Sequence, residues 1–312
     1  MSRRRRTALH SVAILVLLAA NVACGSDRRP DSEVTSSSEP KPAYTELPFE
    51  LDSTATSIAV NGDGIYVADF GEGNELEAQL SHMSSDDGRV LLLENGATVQ
   101  KEAVTRVGAP TGIALGPDGS LYVVDHYGGR VMRFAKGSTT PVLLPFTGGR
   151  PAMVAVNAAG DVVVLTDRDI QILPNGAPTA TVINTFTGDA LTVNGDGAIY
   201  FTDGIGRVQV LDKGATRPRL LSQSTSAAGV IAMTFDTNGD RYVIEETCTA
   251  TKKDGNREMC VTFKYAVRKY ANGSTTATDI PIAGLQFPTS IALGQDDIFI
   301  TDNKRVLKMP RP

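Results

Sequence analysis

Short aliphatic runs alternate with polar turns along most of the chain, and the alternation itself repeats. An aliphatic triplet, a turn of Gly, Asp and Asn, and a second apolar run that usually ends in an acidic residue recur six times. The triplets begin at Ile58, Ile113, Val154, Leu191, Met233 and Ile291, and the second runs lead to Asp69, Asp125, Thr166, Asp203, Glu245 and Asp302. Runs this short, rich in β-branched and aromatic residues and punctuated by turn formers, predict antiparallel strands. No helical period of comparable length competes with them.

Each repeat reads as four strands. The clearest copy has TGIAL at 111–115, LYVVD at 121–125, RVMRF at 130–134 and PVLLPF at 141–146. Third strands open on Arg89-Val90, Arg130-Val131, Arg207-Val208 and Arg305-Val306, and glycine turns follow at Gly96, Gly137, Gly176, Gly214 and Gly273. The last copy stops at Lys308-Met309-Pro310 without a fourth strand. Tyr44 to Phe49, which is similar to Val142 to Phe146, is the segment left to supply it. These features predict an all-β fold, a six-bladed β-propeller closed by an N-terminal strand that completes the last blade and removes the open edges.

The positions that end the second strands stand 56, 41, 37, 42 and 57 residues apart. The middle spacings suit one blade each, so the two long ones hold insertions between second and third strands. These run roughly from Gly71 to Gly88 and from Thr247 to Val261, and they read as long loops. In a closed ring of six, blades 1 and 5 flank blade 6. Their loops are therefore expected to rise beside Asp302, Asn303 and Lys304 and form a cleft there.

The first 24 residues have a different pattern: Arg3 to Arg6, an apolar stretch around Ala13 to Ala20, then Val22-Ala23-Cys24. This is the layout of an export signal. The apolar run falls short of the about 20 residues that a spanning helix needs. Cys24-Gly25-Ser26 resembles a bacterial lipoprotein signal, although Asn21 stands where that pattern has an aliphatic residue. The resemblance implies lipidation of Cys24 and a location at the outer face of the cell membrane or in the envelope. Residues 25–43 are rich in Ser, Pro and charge and read as a disordered tether, leaving 44–312 as the propeller.

Charge narrows the partners. The chain carries 30 Lys and Arg against 35 Asp and Glu, and the signal contains four of the arginines and no acid. The rest is distinctly acidic, which disfavours nucleic acid. Cys248 and Cys260, twelve residues apart in an exported chain, most simply form a disulfide.

The aliphatic inner strand, the Asp-Gly turn, Tyr-Val-x-Asp and Arg-Val together resemble the NHL repeat, over residues 44–312. VLLPFTGGRPAMVAV, from Val142 to Val156, is similar to the extracellular sensor propeller of actinobacterial membrane Ser/Thr kinases. Kinase motifs are absent, so only the sensor part is resembled. The resemblance implies a binding platform for an envelope protein or glycan, with no cofactor.

Candidate chemistry lies on the face where second strands end and blades join. Asp69, Asp125, His126, Asp203, Glu245 and Asp302 are expected there, with Asn303 and Lys304 beside the last of them. Of the segments leading into the inner strands, only two carry charge, at Arg150 and Asp189. The recurring acids suit either a carboxylate ring for a polar ligand or turn caps paired with the following arginine. With His10 in the signal, His82 and His126 cannot make a three-histidine metal site, and no metal ligand set stands out. The reading that follows is a non-enzymatic recognition module; the alternative is a propeller hydrolase or lyase of the gluconolactonase type.

Overall fold

Val, Ile, Leu, Tyr and Phe fill the strand positions of every repeat, and Gly, Asp and Asn fill the turns, so each repeat folds as an antiparallel meander. The computed structural model describes residues 44–71, 87–185, 188–221, 228–254 and 257–312. The expected signal and tether lie outside the described residues, as does most of the insertion after Gly71.

Six four-stranded sheets form the fold. A short strand β1 (Thr45–Glu46) precedes blade 1, which comprises β2 (Ala55–Asn61), β3 (Gly64–Asp69), β4 (Gly88–Glu94) and β5 (Lys101–Val107). Blade 2 holds β6 (Pro110–Leu115), β7 (Leu121–Asp125), β8 (Arg130–Phe134) and β9 (Pro141–Leu143). Blade 3 holds β10 (Pro151–Val156), β11 (Val162–Thr166), β12 (Asp169–Leu173) and β13 (Thr181–Asn184). Blade 4 holds β14 (Leu191–Val193), β15 (Ile199–Thr202), β16 (Val208–Leu211) and β17 (Arg219–Leu220). Blade 5 holds β18 (Ala228–Phe235), β19 (Arg241–Asp254), β20 (Arg257–Tyr270) and β21 (Ala277–Ile280). Blade 6 is β22 (Pro288–Leu293), β23 (Asp297–Asp302), β24 (Arg305–Pro310) and, as its outer strand, β1.

Closure is made by backbone pairing. Thr45 lies opposite Lys308 and Glu46 opposite Leu307, and the Leu47 amide donates to the Val306 carbonyl at 2.8 Å. The protein is therefore a six-bladed β-propeller sealed by strand exchange between its ends. Inner strands touch in ring order, β2 to β6, β10, β14, β18, β22 and back to β2.

The core lies between blades. On β7, Val123 packs with Ala68 and Val90 of blade 1, while Val124 packs with Val154 and Val164 of blade 3. Second strands are covered on both faces, which is why LYVVD and VVVLT read as unbroken apolar runs rather than alternating ones. The inner strands of blades 1, 2, 3, 5 and 6 each begin with a register shift. At three of these bulges a threonine hydroxyl bridges to the next blade: Thr56 to the Pro110 carbonyl, Thr111 to Ala152 at 2.7 Å, and Thr289 to Ala55. A bulge frees the side chain from the sheet face and so aims it sideways.

One expectation is corrected. Thr247 to Val261 is not a loop: β19 and β20 run on as a two-stranded hairpin through most of it. Alternating threonines, Val261 and Phe263 favour extended backbone, and the expected Cys248–Cys260 disulfide ties the two strands with their Cα atoms 5.8 Å apart.

Closure has a direct consequence. A chain beginning at Pro48 should melt several degrees lower and associate through the bared edge of β24, as read by calorimetry and size-exclusion chromatography. An unchanged midpoint with monomeric elution would contradict it.

Candidate functional site

The recurring acids stand where second strands end and the backbone turns toward the next strand, except Glu245, beyond which β19 runs on, and all five are buried. Each is neutralised. Asp69 accepts from the Asp52 and Ser53 amides and from Arg89 Nε at 3.1 Å. Asp125 accepts from the Gly128 amide and Arg130 Nε, both at 2.7 Å. Asp203 takes the Ile205 and Arg207 amides and Arg207 Nε at 2.8 Å. Glu245 takes Arg268 Nη1 at 2.6 Å and the Tyr270 hydroxyl at 2.9 Å. Asp302 accepts from the Gln286 and Phe287 amides and from Arg305.

The arginine that opens most third strands is thus the partner of the acid that ends the second. Only Asp125 and Asp203 cap their own tight turns; Asp69 and Asp302 bind the segment leading into their own blade. In blade 3 Thr166 takes the position, and its hydroxyl receives the Arg168 and Asp169 amides. Asn303 and Lys304 serve the junction with blade 1. The Ala55 amide donates to the Asn303 carbonyl at 2.9 Å, and Lys304 Nζ donates to the Asp52 carbonyl. Asn303 reaches this with φ 58, a left-handed conformation that asparagine tolerates.

The residue after each of these six positions breaks the symmetry: Phe70, His126, Asp167, Gly204, Glu246 and Asn303. His126 is half-buried, with Nδ1 2.7 Å from the Pro151 carbonyl oxygen. A carbonyl can only accept, so Nδ1 carries the hydrogen and the neutral ring keeps its lone pair on Nε2. Burial pushes the imidazole below its ordinary value of 6.5, and the charge of exposed Arg150 adds to this. The Pro151 hydrogen bond works in the other direction.

Glu246 holds the same register in blade 5, across the ring from blade 2. Its cross-strand neighbours are Gly229 and Tyr265. Among the described residues no cation lies within ion-pair distance of its carboxylate, unlike Glu245 beside it. Burial pushes Glu246 above its ordinary 4.5, and the charge of Asp189 pushes the same way. The Tyr265 hydroxyl is raised by burial, then by the charges of Glu246 and Asp302. Gly206 lets blade 4's turn dock on β18: it has φ 77, and a Cβ on it would come within 2.6 Å of the Gly229 Cα.

The structure therefore brings Asp189 of blade 4 and Asp302 of blade 6 close enough to bear on Glu246 and Tyr265, and sets Arg150 beside His126. Glu246 and Tyr265 were not among the residues expected from sequence. The signal for Glu246 was available: it directly follows the repeating acid, at the register of His126. Among the described residues, no three His, Cys, Asp or Glu side chains are grouped to hold a metal ion.

Neither a protein-family model nor a curated protein sequence matches this chain. Solved structures do. A protein of unknown function from Bacteroides thetaiotaomicron is similar over 87% of this chain and 72% of its own, with TM-score 0.63 and 14% identity. A streptogramin B lyase aligns over 85% of this chain and 96% of its own, with TM-score 0.57 and 12% identity. A catalytically inactive histidine-to-alanine variant of virginiamycin B lyase from Staphylococcus aureus, bound to quinupristin, aligns over 87% and 100%, with TM-score 0.55 and 15% identity. At such identities the fold is what is shared. The expectation of a non-enzymatic module is corrected, because lyases are among the propellers that this layout spans almost end to end. The NHL and kinase-sensor resemblance rests on the sequence motifs alone.

The pKa directions carry a sign. A raised Glu246 holds its proton more tightly when folded, so its contribution is full below 4.5 and is lost as pH rises through the folded value. Glu246→Gln should therefore melt higher than the parent at neutral pH, with the gap closing as pH falls below 4.5 in thermal melts across pH. His126, lowered from 6.5, contributes fully above that value and loses its contribution as pH falls toward the folded value. A constant Glu246→Gln difference at all pH would contradict the assignment.

Proposed function

We propose that the protein is an exported propeller enzyme, held at the membrane by a lipid on Cys24, that opens cyclic or activated esters by proton transfer. His126 Nε2 takes a proton from a water whose oxygen adds to the ester carbonyl, and Glu246 is the acid that hands a proton to the leaving oxygen as the C–O bond breaks. Burial favours the neutral form of both groups, which is the form in which an imidazole accepts a proton and a carboxylic acid donates one. Tyr265 and the Arg150 side are placed to orient the substrate.

The observation that carries this reading is the exception to charge pairing: the recurring acids are each met by donors, whereas Glu246 is not. The reading is supported by the lyase folds above, one of which is bound to quinupristin. The export signal expected in the first 24 residues fits an enzyme presented at the envelope.

The test is turnover by purified residues 44–312 against lactones, aryl esters and cyclic depsipeptides. One class should be turned over, with His126→Ala and Glu246→Gln each lowering kcat by about 10²–10⁴-fold while melting cooperatively. Absence of turnover across the panel, or variants as active as the parent, would overturn it. For the anchor, Cys24→Ala should release the protein from the membrane fraction, and a variant that stays bound would overturn lipidation.

A further inference from the structure

At the opposite end of blade 5, the first position of β19 departs from the repeat. The other second strands place Ile65, Leu121, Val162, Ile199 and Ile298 at this register, all buried. Blade 5 has Arg241, which is only 9% exposed. A permanent charge thus occupies a core position.

Its surroundings do not neutralise it. Nε is fully buried and meets no acceptor among the described residues. No carboxylate lies within ion-pair distance of the guanidinium among the described residues, because the nearby acids are engaged elsewhere. Asp240 holds Lys269 at 2.9 Å and Glu245 holds Arg268. One guanidinium face lies over the Tyr270 ring, 4.5 Å from its centroid, and Phe235 is the cross-strand neighbour on the other side. Tyr200 of blade 4 packs against Phe235 at 4.6 Å between ring centroids. Stacking fixes the plane of the fork and leaves its nitrogen edge unused. That edge matches a carboxylate, which accepts two parallel N–H bonds in a plane, better than it matches a spherical anion.

We propose that Arg241 anchors a second ligand site between blades 4 and 5, which takes the carboxylate of a small organic acid whose apolar or aromatic body lies against Tyr200 and Phe235. An unpaired buried charge is costly where an aliphatic side chain would be stabilising, and ligand binding offsets that cost. The site is separate from His126 and Glu246 and stands without them.

The probe is benzoate, titrated into residues 44–312 at constant ionic strength and followed by thermal melting and calorimetry, with acetate, phosphate and chloride as comparators. Benzoate should raise the parent's midpoint dose-dependently by a few degrees, acetate less, and phosphate and chloride not at all. Arg241→Ile, which restores the residue type of the other blades, should melt at or above the parent in chloride and lose the benzoate response. Arg241→Lys, charged but without the fork, should respond weakly. A flat parent response, an equal response in Arg241→Ile, or equal responses to phosphate and benzoate would overturn the proposal. So would an Arg241→Ile midpoint well below the parent's together with no benzoate response, since Arg241 would then serve only to stack on Tyr270.

Discussion

A carboxylate removed from water must be met by a cation or by enough donors to replace its hydration. The propeller satisfies this at Asp69, Asp125, Asp203, Glu245 and Asp302 by pairing the end of each second strand with an arginine from the next. Breaking a buried pair from one side costs about 3–5 kcal/mol, less where the arginine is nearly half in solvent, as Arg130 and Arg207 are. The acids and the arginines of the repeat are thus one feature read twice. Their regularity is a condition of folding, and departures from it are where chemistry can reside.

Three side chains depart. His126 is held neutral by burial, with its tautomer set by the Pro151 carbonyl; Glu246 stands unneutralised beside Asp189; Arg241 replaces a core aliphatic without an acid to face. Ring closure through β1 gives these departures fixed places. With six blades in order, blades 2 and 5 face one another, so the two titratable groups share one register on opposite sides of the ring. The bulge threonines tie neighbouring inner strands together near that end, which fixes the blades that carry His126 and Glu246 against their neighbours.

Much of the fold was legible because the repeat is local: strand, turn and strand recur with the same residue types, and the missing fourth strand of blade 6 could only be filled by the segment after Tyr44. The disulfide was legible from two isolated cysteines. The hairpin through Thr247 to Val261 was not, since threonines and lysines read as polar loop while their backbone pairs as strand. Glu246 and Arg241 were hidden for one reason. Attention to the acid that recurs passed over its neighbour, and an arginine at the head of a strand resembled the ones that pair with acids. Only burial and partner distances separate Arg241 from Arg130. The non-enzymatic reading came from motif likeness, and the alignment with lyases removed its basis.

The account turns on the protonation states of Glu246 and His126, so their direct titration is the sharpest measurement. Carboxyl and imidazole resonances followed by NMR across pH should show Glu246 titrating above 4.5 and His126 below 6.5, with the imidazole hydrogen on Nδ1 in the neutral form. A Glu246 that titrates at or below its ordinary value, or a His126 that is cationic at neutral pH, would contradict the central claim.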